Sequence, residues 1–244
     1  MTLSFNGKRI LVTGGTRGIG KEIVLAFANT GAEVIATGRS ETAPSWMDSY
    51  PAIRYEQLDL ESSDWQRDVQ RCLDRYETID VCINNAGINK VSKIEALEPE
   101  DLDRILRVNL NAPIYIASLV AKKMIPTGSG HILNIGSIFG SVSRGGRNPY
   151  TARKAGLIGA TKTMAIDLGP HGILVNCLSP GFIETELTRN VLGESGIREV
   201  EQRIPLQRLG RPKDLVPVIL FLCSDLNTYL TGQNIIVDGG FTLE

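Results

Sequence analysis

The chain of 244 residues predicts one α/β domain, a doubly wound parallel sheet with helices on both faces. Three observations carry this. Short β-branched runs alternate with amphipathic stretches, the pattern of strands joined by crossover helices. The strand candidates are continuously apolar, as in Ile10-Leu11-Val12, which suits a sheet covered on both sides. A glycine-rich turn, Thr13-Gly14-Gly15-Thr16-Arg17-Gly18-Ile19-Gly20, connects the first strand to the first helix.

Taken in order, strands are expected at 9–13, 33–37, 54–57, 79–84, 131–136, 173–179 and 234–237. Helices are expected between them at 18–29, 63–76, 99–124, 150–168 and 213–223. Pro99 followed by Glu100 and Asp101 is a helix start: proline needs no amide partner there, and acidic groups suit the positive end of the dipole. The one irregular insertion runs from 182 to 209, and connections that long are usually functional, often a lid. No repeat or linker divides the chain, so a single domain is expected over 1–244.

With 42% hydrophobic residues, 22% charged residues and a net charge of -1, the chain can bury a sizeable core and offers no general nucleic-acid surface. No apolar run reaches the roughly 18 residues of a membrane span. The short polar start, Met1 to Lys8, does not read as a signal peptide. Cys72, Cys82, Cys177 and Cys223 are widely spaced and read as reduced and structural, consistent with a cytoplasmic location. His131 and His171 are isolated, which argues against a catalytic metal. A Ser-His-Asp arrangement is excluded unless one of them meets Ser137 in space.

The glycine turn fits a phosphate cradle. Glycines let backbone approach a diphosphate, and free amides at a helix start point at the anion. Its spacing is Gly-x-x-x-Gly-x-Gly, unlike the common dinucleotide fingerprint or a Walker loop. The second strand runs into Gly38-Arg39, where an acidic residue would hold a free ribose 2′-hydroxyl. Arginine suits a 2′-phosphate instead, and Arg17 could reach the same group, so NADP(H) is favoured over NAD(H). Tyr150 and Lys154 are four positions apart, on one face of a helix. An ammonium near a phenol favours the phenolate, and such a tyrosine can exchange a proton with a substrate oxygen.

The glycine turn, Asn84-Asn85-Ala86-Gly87, Ser137, Tyr150-x-x-x-Lys154 and Pro180-Gly181 follow one another in an order that resembles the short-chain dehydrogenase/reductase family. The likeness is to its 3-oxoacyl-[acyl-carrier-protein] reductase-like branch and covers nearly the whole chain. It implies a Rossmann-type fold and an NADP(H)-dependent oxidoreductase interconverting a ketone and a secondary alcohol. It implies Tyr150 as general acid/base, Lys154 as its activator and ribose ligand, Ser137 steadying the substrate oxygen, and Asn109 holding a water that relays protons. It further implies Gly14, Thr16, Arg17 and Ile19 at the diphosphate turn, and Gly38 and Arg39 at the adenosine ribose. Asp59 and Leu60 would meet the adenine, and Asn85, Ala86 and Gly87 a ribose. Pro180, Gly181, Ile183 and Thr185 would flank the nicotinamide. Each has a structural rival: Asn109 could bond a neighbouring carbonyl, Ser137 could be a turn residue and Asp59 a helix cap.

Lys90, Lys93, Arg144 and Arg147 follow the motifs that build the pocket in this family, which fits an anionic substrate or merely solvated loops. The arginines that dock an acidic carrier protein in that branch are replaced by Gly128, Ser129 and His171. A sugar, polyol or secondary-metabolite ketone therefore stands as an alternative substrate. A non-catalytic NADP-binding regulator is a further reading, opposed by the presence of Asn109, Ser137, Tyr150 and Lys154. The resemblance also implies a homotetramer, or a homodimer, through helices 99–124 and 150–168 and the tail from Gly232 to Gly240.

Overall fold

The computed structural model describes residues 3–243. Its sheet has seven parallel strands: β1 (Arg9–Val12), β2 (Glu33–Gly38), β3 (Ile53–Gln57), β4 (Val81–Asn84), β5 (Gly130–Ile135), β6 (Ile173–Pro180) and β7 (Asn234–Val237). They lie in the order β3-β2-β1-β4-β5-β6-β7. The chain winds one way to β3, then returns to the centre and winds the other way, so the order reverses between β1 and β4. Ligands of such sheets bind in the crevice at the carboxyl ends beside that reversal.

The helices are α1 (Gly18–Asn29), α2 (Trp65–Asp74), α3 (Pro99–Leu106), α4 (Ala112–Met124), α5 (Asn148–Leu168), α6 (Glu186–Arg203) and α7 (Pro212–Leu222). Successive strand residues point to opposite faces, and the core divides accordingly. Leu11, Ile35 and Cys82 pack with Val69 of α2, Ile116 and Val120 of α4 and Ala165 of α5. Ile10, Val12, Val34 and Ile83 pack on the other face with Ile23 and Phe27 of α1 and Leu215 and Ile219 of α7. Continuous apolar strands follow from this double covering.

Two expectations change. The helix foreseen over 99–124 is interrupted: Arg107–Asn111 form a π-helical turn between α3 and α4. The segment 182–209 is not irregular but mostly α6, an eighteen-residue helix bent at Gly193, whose φ of 63° and ψ of 177° break it. Its many charges and weak apolar periodicity hid it; only Val200 on α6 is fully buried. Its start is capped by the Thr185 hydroxyl, which accepts from the Thr188 amide at 3.2 Å.

Candidate active site

The glycine turn closes against the loop after β4, at the reversal of strand order. Gly14 has φ of 64°, and a Cβ there would sit 2.9 Å from Ala86 Cα. A Cβ on Gly20 would sit 2.0 Å from the Gly14 carbonyl oxygen. Thr13 joins the two segments: its Oγ1 accepts from the amides of Asn85 and Ala86, both at 3.0 Å. The Asn85 side chain donates back to the carbonyls of Thr13 and Gly14 at 3.0 and 2.9 Å. Thr13 stood in the motif without a role; its signal was a buried hydroxyl at a strand end. The result is a backbone-lined trough leading to the amino end of α1, which suits a diphosphate. Thr16 is fixed by Trp46, whose Nε1 donates to its carbonyl at 3.1 Å, and Ile19 packs into the α1 face of the core.

The arginines foreseen for a 2′-phosphate both lie beside carboxylates. Arg39 pairs with Glu61 at 2.6 Å, and Arg17 approaches Glu186 at 3.4 Å. Gly38 must lack a side chain, because a Cβ would meet Thr16 at 2.5 Å and the Tyr55 hydroxyl at 2.9 Å. Asp59 accepts from the Glu61 amide at 2.9 Å rather than capping a helix, and Leu60 is buried. Asp64, not Asp59, precedes α2.

Across the trough, Asn109 sits in the π-helical turn, 2% exposed, with its amide filled. It donates to the carbonyls of Ile105 and Ile88 at 2.9 and 3.2 Å and accepts from the Ile88 amide at 2.9 Å. It thereby clamps the segment after Gly87, whose own Cβ would meet Asn109 Oδ1 at 2.7 Å. Gly181 lies on Asp238, where a Cβ would come within 2.7 Å of Cα. Pro180 ends β6, Ile183 is buried, and Thr185 reaches Gly18, so the start of α6 borders the glycine turn.

Ser137 lies two residues beyond β5, and its Oγ accepts from the Phe139 amide at 3.2 Å. That bond uses a lone pair and leaves the hydroxyl proton available to donate. The following turn, Ile138–Gly140, lies on α5, where a Cβ on Gly140 would collide with Ile158 and the Lys154 backbone. Tyr150 is half-buried against this turn, its ring edge-on to Phe139 at 6.0 Å. Phe139, Phe182 and Phe241 continue the aromatic wall, and Val200 and Ile204 at the end of α6 pack with them.

Lys154 is buried, with Nζ donating to the Ile135 carbonyl and lying 6.0 Å from the Tyr150 ring centroid. Burial, and then the charge of Arg153, pull its pKa down to about 7. Arg153 is an unanticipated member of the group. It is 1% exposed, its Nε and Nη1 lack hydrogen-bond partners, and its guanidinium carbon lies 3.9 Å from the Tyr150 ring centroid. The only hint in the sequence was a long cation on the buried side of α5, between Tyr150 and Leu157.

The cationic pocket mouth is reduced. Lys90 is paired with Asp101, Arg189 with Glu184, and Arg147 is buried against the Phe139 ring at 5.4 Å. Arg144 and Lys93 remain exposed. A depression of about 300 Å³ lined by Gly7, Arg9, Glu33 and Thr78 lies at the amino ends of the strands, opposite the site. Among the described residues, no three His, Cys, Asp or Glu side chains come together as a metal site. No helix among the described residues is long and apolar enough to cross a membrane.

Comparison with known proteins agrees with this geometry. The family model described as enoyl-(acyl carrier protein) reductase matches residues 14–242. The 3-oxoacyl-[acyl-carrier-protein] reductase FabG of Chlamydia pneumoniae is 38% identical, over 99% of this chain and 100% of its own length. Gluconate 5-dehydrogenase of Gluconobacter oxydans is 36% identical, over 98% and 96%. A gluconate 5-dehydrogenase from Burkholderia cenocepacia, solved with NADP and tartrate, superposes with a TM-score of 0.92 at 32% identity, covering 99% of this chain and 98% of that one. With the sheet order, the glycine trough and full-length likeness all in agreement, the chain belongs to the short-chain dehydrogenase/reductase family.

Proposed function

We propose that this protein is an NADP(H)-dependent oxidoreductase that interconverts a ketone and a secondary alcohol, with 3-oxoacyl thioesters as the first substrate class. The observation that carries the reading is that Ser137, Tyr150 and Lys154 lie around the one turn Ile138–Gly140, at the carboxyl end of the sheet where the glycine turn also lies. The glycine turn suits a dinucleotide because it brings bare backbone to the amino end of α1, and it can close that tightly only because Gly14 and Gly20 have no Cβ to strike Ala86 or the Gly14 carbonyl. When bound there, the nicotinamide supplies or accepts the hydride.

The chain's own residues do the rest. Ser137 and Tyr150 donate hydrogen bonds to the substrate oxygen, and such preorganised donors act chiefly where charge develops. Tyr150 gives its proton to that oxygen on reduction and takes it back on oxidation. Lys154 holds the ribose and favours the phenolate. The π-helical turn at Asn109 frees backbone groups from the ordinary ladder, and α5 packs against it, so water beside Asn109 relays the proton between Lys154 and solvent. Arg39 and Arg17 bind the 2′-phosphate after exchanging Glu61 and Glu186 for it. Gly38, Asp59 and Leu60 line the adenosine end, Asn85, Ala86 and Gly87 a ribose, and Pro180, Gly181, Ile183 and Thr185 the nicotinamide. Helix α6 forms the lid, and the working assembly is a cytoplasmic homotetramer.

A second reading has its own support: neutral Gly128, Ser129 and His171 offer little to an acidic carrier, and relatives named gluconate 5-dehydrogenase align over the full chain. A screen of NADPH oxidation against acetoacetyl thioesters, keto-sugars, keto-acids and cyclic ketones separates the two. Turnover confined to thioesters supports the first, and turnover confined to keto-sugars or keto-acids the second. No turnover with any carbonyl, in either direction, overturns both.

A further inference from the structure

Arg153 is a full charge inside the protein with no counter-charge. Among the described residues no ion pair involves it, and two of its three nitrogens are buried without partners. An uncompensated buried charge is costly, and folds rarely hold one without use. Arginine does not escape by losing its proton: burial lowers its pKa only to about 10, so it stays charged at neutral pH. Lys154 differs, since its pKa near 7 leaves it part neutral there. Over the neutral range the permanent cation stacked on the Tyr150 ring is therefore Arg153.

The remaining neighbours do not offset it. In the loop before α5 stand Arg147 and Arg144, both cationic, and Arg147 also acts on Tyr150. From β6 comes Cys177, beside Lys154, its thiol kept protonated by burial. From the segment after β6, the end of α6 and the C-terminal turn come Phe182, Val200, Ile204 and Phe241, with Arg203 over the Phe241 ring at 5.0 Å. Among the described residues, no carboxylate acts on Arg153 or Lys154.

We propose that Arg153 is a positioning residue for the proton transfer, its guanidinium stacked on the Tyr150 ring so that the phenolate supplies the counter-charge the site otherwise lacks. A cation over a neutral ring gains only the quadrupole attraction, whereas over a phenolate it gains a full charge–charge interaction. The stack thus favours the form of Tyr150 that takes the alcohol proton, and that proton returns to the substrate oxygen on reduction. The proposal rests on Tyr150 being the proton carrier of the proposed function.

The test needs no substrate. Phenolate absorbance of the full chain is followed from about pH 6 to pH 11, the range of tyrosine ionisation, and the Tyr150→Phe signal is subtracted to isolate Tyr150. Arg153→Met should move the Tyr150 midpoint up by at least about one pH unit, a tenfold loss of phenolate below it. Arg153→Lys should stay within about half a unit of wild type, because the charge remains. Arg153→Gln serves if the methionine variant does not fold, and it should behave as methionine does. An unmoved midpoint in the neutral variants, or equal shifts in the lysine and neutral variants, overturns the proposal, since packing rather than charge would then be at work. Turnover by Tyr150→Phe is a separate result: it removes the proton-carrier role and leaves the absorbance readout intact.

Discussion

Lys154 shows how burial sets the chemistry of one side chain. Folded Lys154 holds its proton only below about 7. In the unfolded chain it holds it to ~10.4. Between those values the unfolded state binds the extra proton, so stability rises with pH through that window. Lys154→Met should abolish turnover yet melt higher than wild type at pH 7, by about 2–4 °C for each kcal/mol recovered. Scanning calorimetry should find the gap narrowing toward about pH 10; a gap constant with pH would show that the folded protein carries the lysine charged. Tyr150→Phe should lose nearly all turnover while fluorescence titration finds NADPH affinity within about twofold, because only the proposed proton donor is removed. If the variant keeps more than about a tenth of the rate, the donor is another group. At Gly14, alanine meets both a left-handed backbone and the Ala86 main chain, neither of which can yield. Gly14→Ala should cost about 1–3 kcal/mol of stability and weaken NADPH binding at least about tenfold, read by melting and fluorescence titration. Unchanged affinity would move the diphosphate elsewhere.

At the scale of elements, the motifs were legible because each is local chemistry: a glycine turn, a strand-end serine, a tyrosine and lysine one helical turn apart. The π-helical turn was not read, although Pro113 just beyond it lacks the amide that would bond the Asn109 carbonyl in a regular helix. It forms where Asn109 reaches across to Ile88, a contact 21 positions away. Helix α6 was missed for the opposite reason. It lies on the molecule's surface over an aromatic patch, with little buried apolar face to announce it. Its bend at Gly193 has a backbone conformation that glycine alone adopts readily, with no atom near enough to hinder a side chain. Gly193→Ala should therefore act through the backbone, costing about 1–3 kcal/mol. If α6 is the lid, steady-state kinetics should show a raised KM for the carbonyl substrate with NADPH affinity unchanged. A raised KM for NADPH alone would instead assign α6 to the cofactor.

At the scale of the whole molecule, the outer faces leave apolar groups in water. Ile114 on α4 and Ile166 on α5 are 40% and 75% exposed, and Tyr229 and Leu243 near the C-terminus are 96% and 87% exposed. These side chains lie on α4, α5 and the C-terminal segment, the parts through which the proposed assembly would form. Light scattering should find a particle close to four times the 26.6 kDa chain, and Ile166→Glu should shift it toward smaller species. A monomer in both cases would leave these faces uncovered and the tetramer wrong.

The sequence by itself determined the seven parallel strands, the glycine turn after β1 and the Tyr150–Lys154 pair. Each follows from periodicity or from residue types that only one backbone geometry accommodates. Only the tertiary structure decided which charges are free. Lys90, Arg39 and Arg17 read as available cations and proved to lie against Asp101, Glu61 and Glu186. Arg153, an unmarked letter between Tyr150 and Lys154, proved to be the buried and unpaired one. Charge pairing and desolvation depend on what lies within a few ångströms in space, and residues up to 169 positions apart supply it.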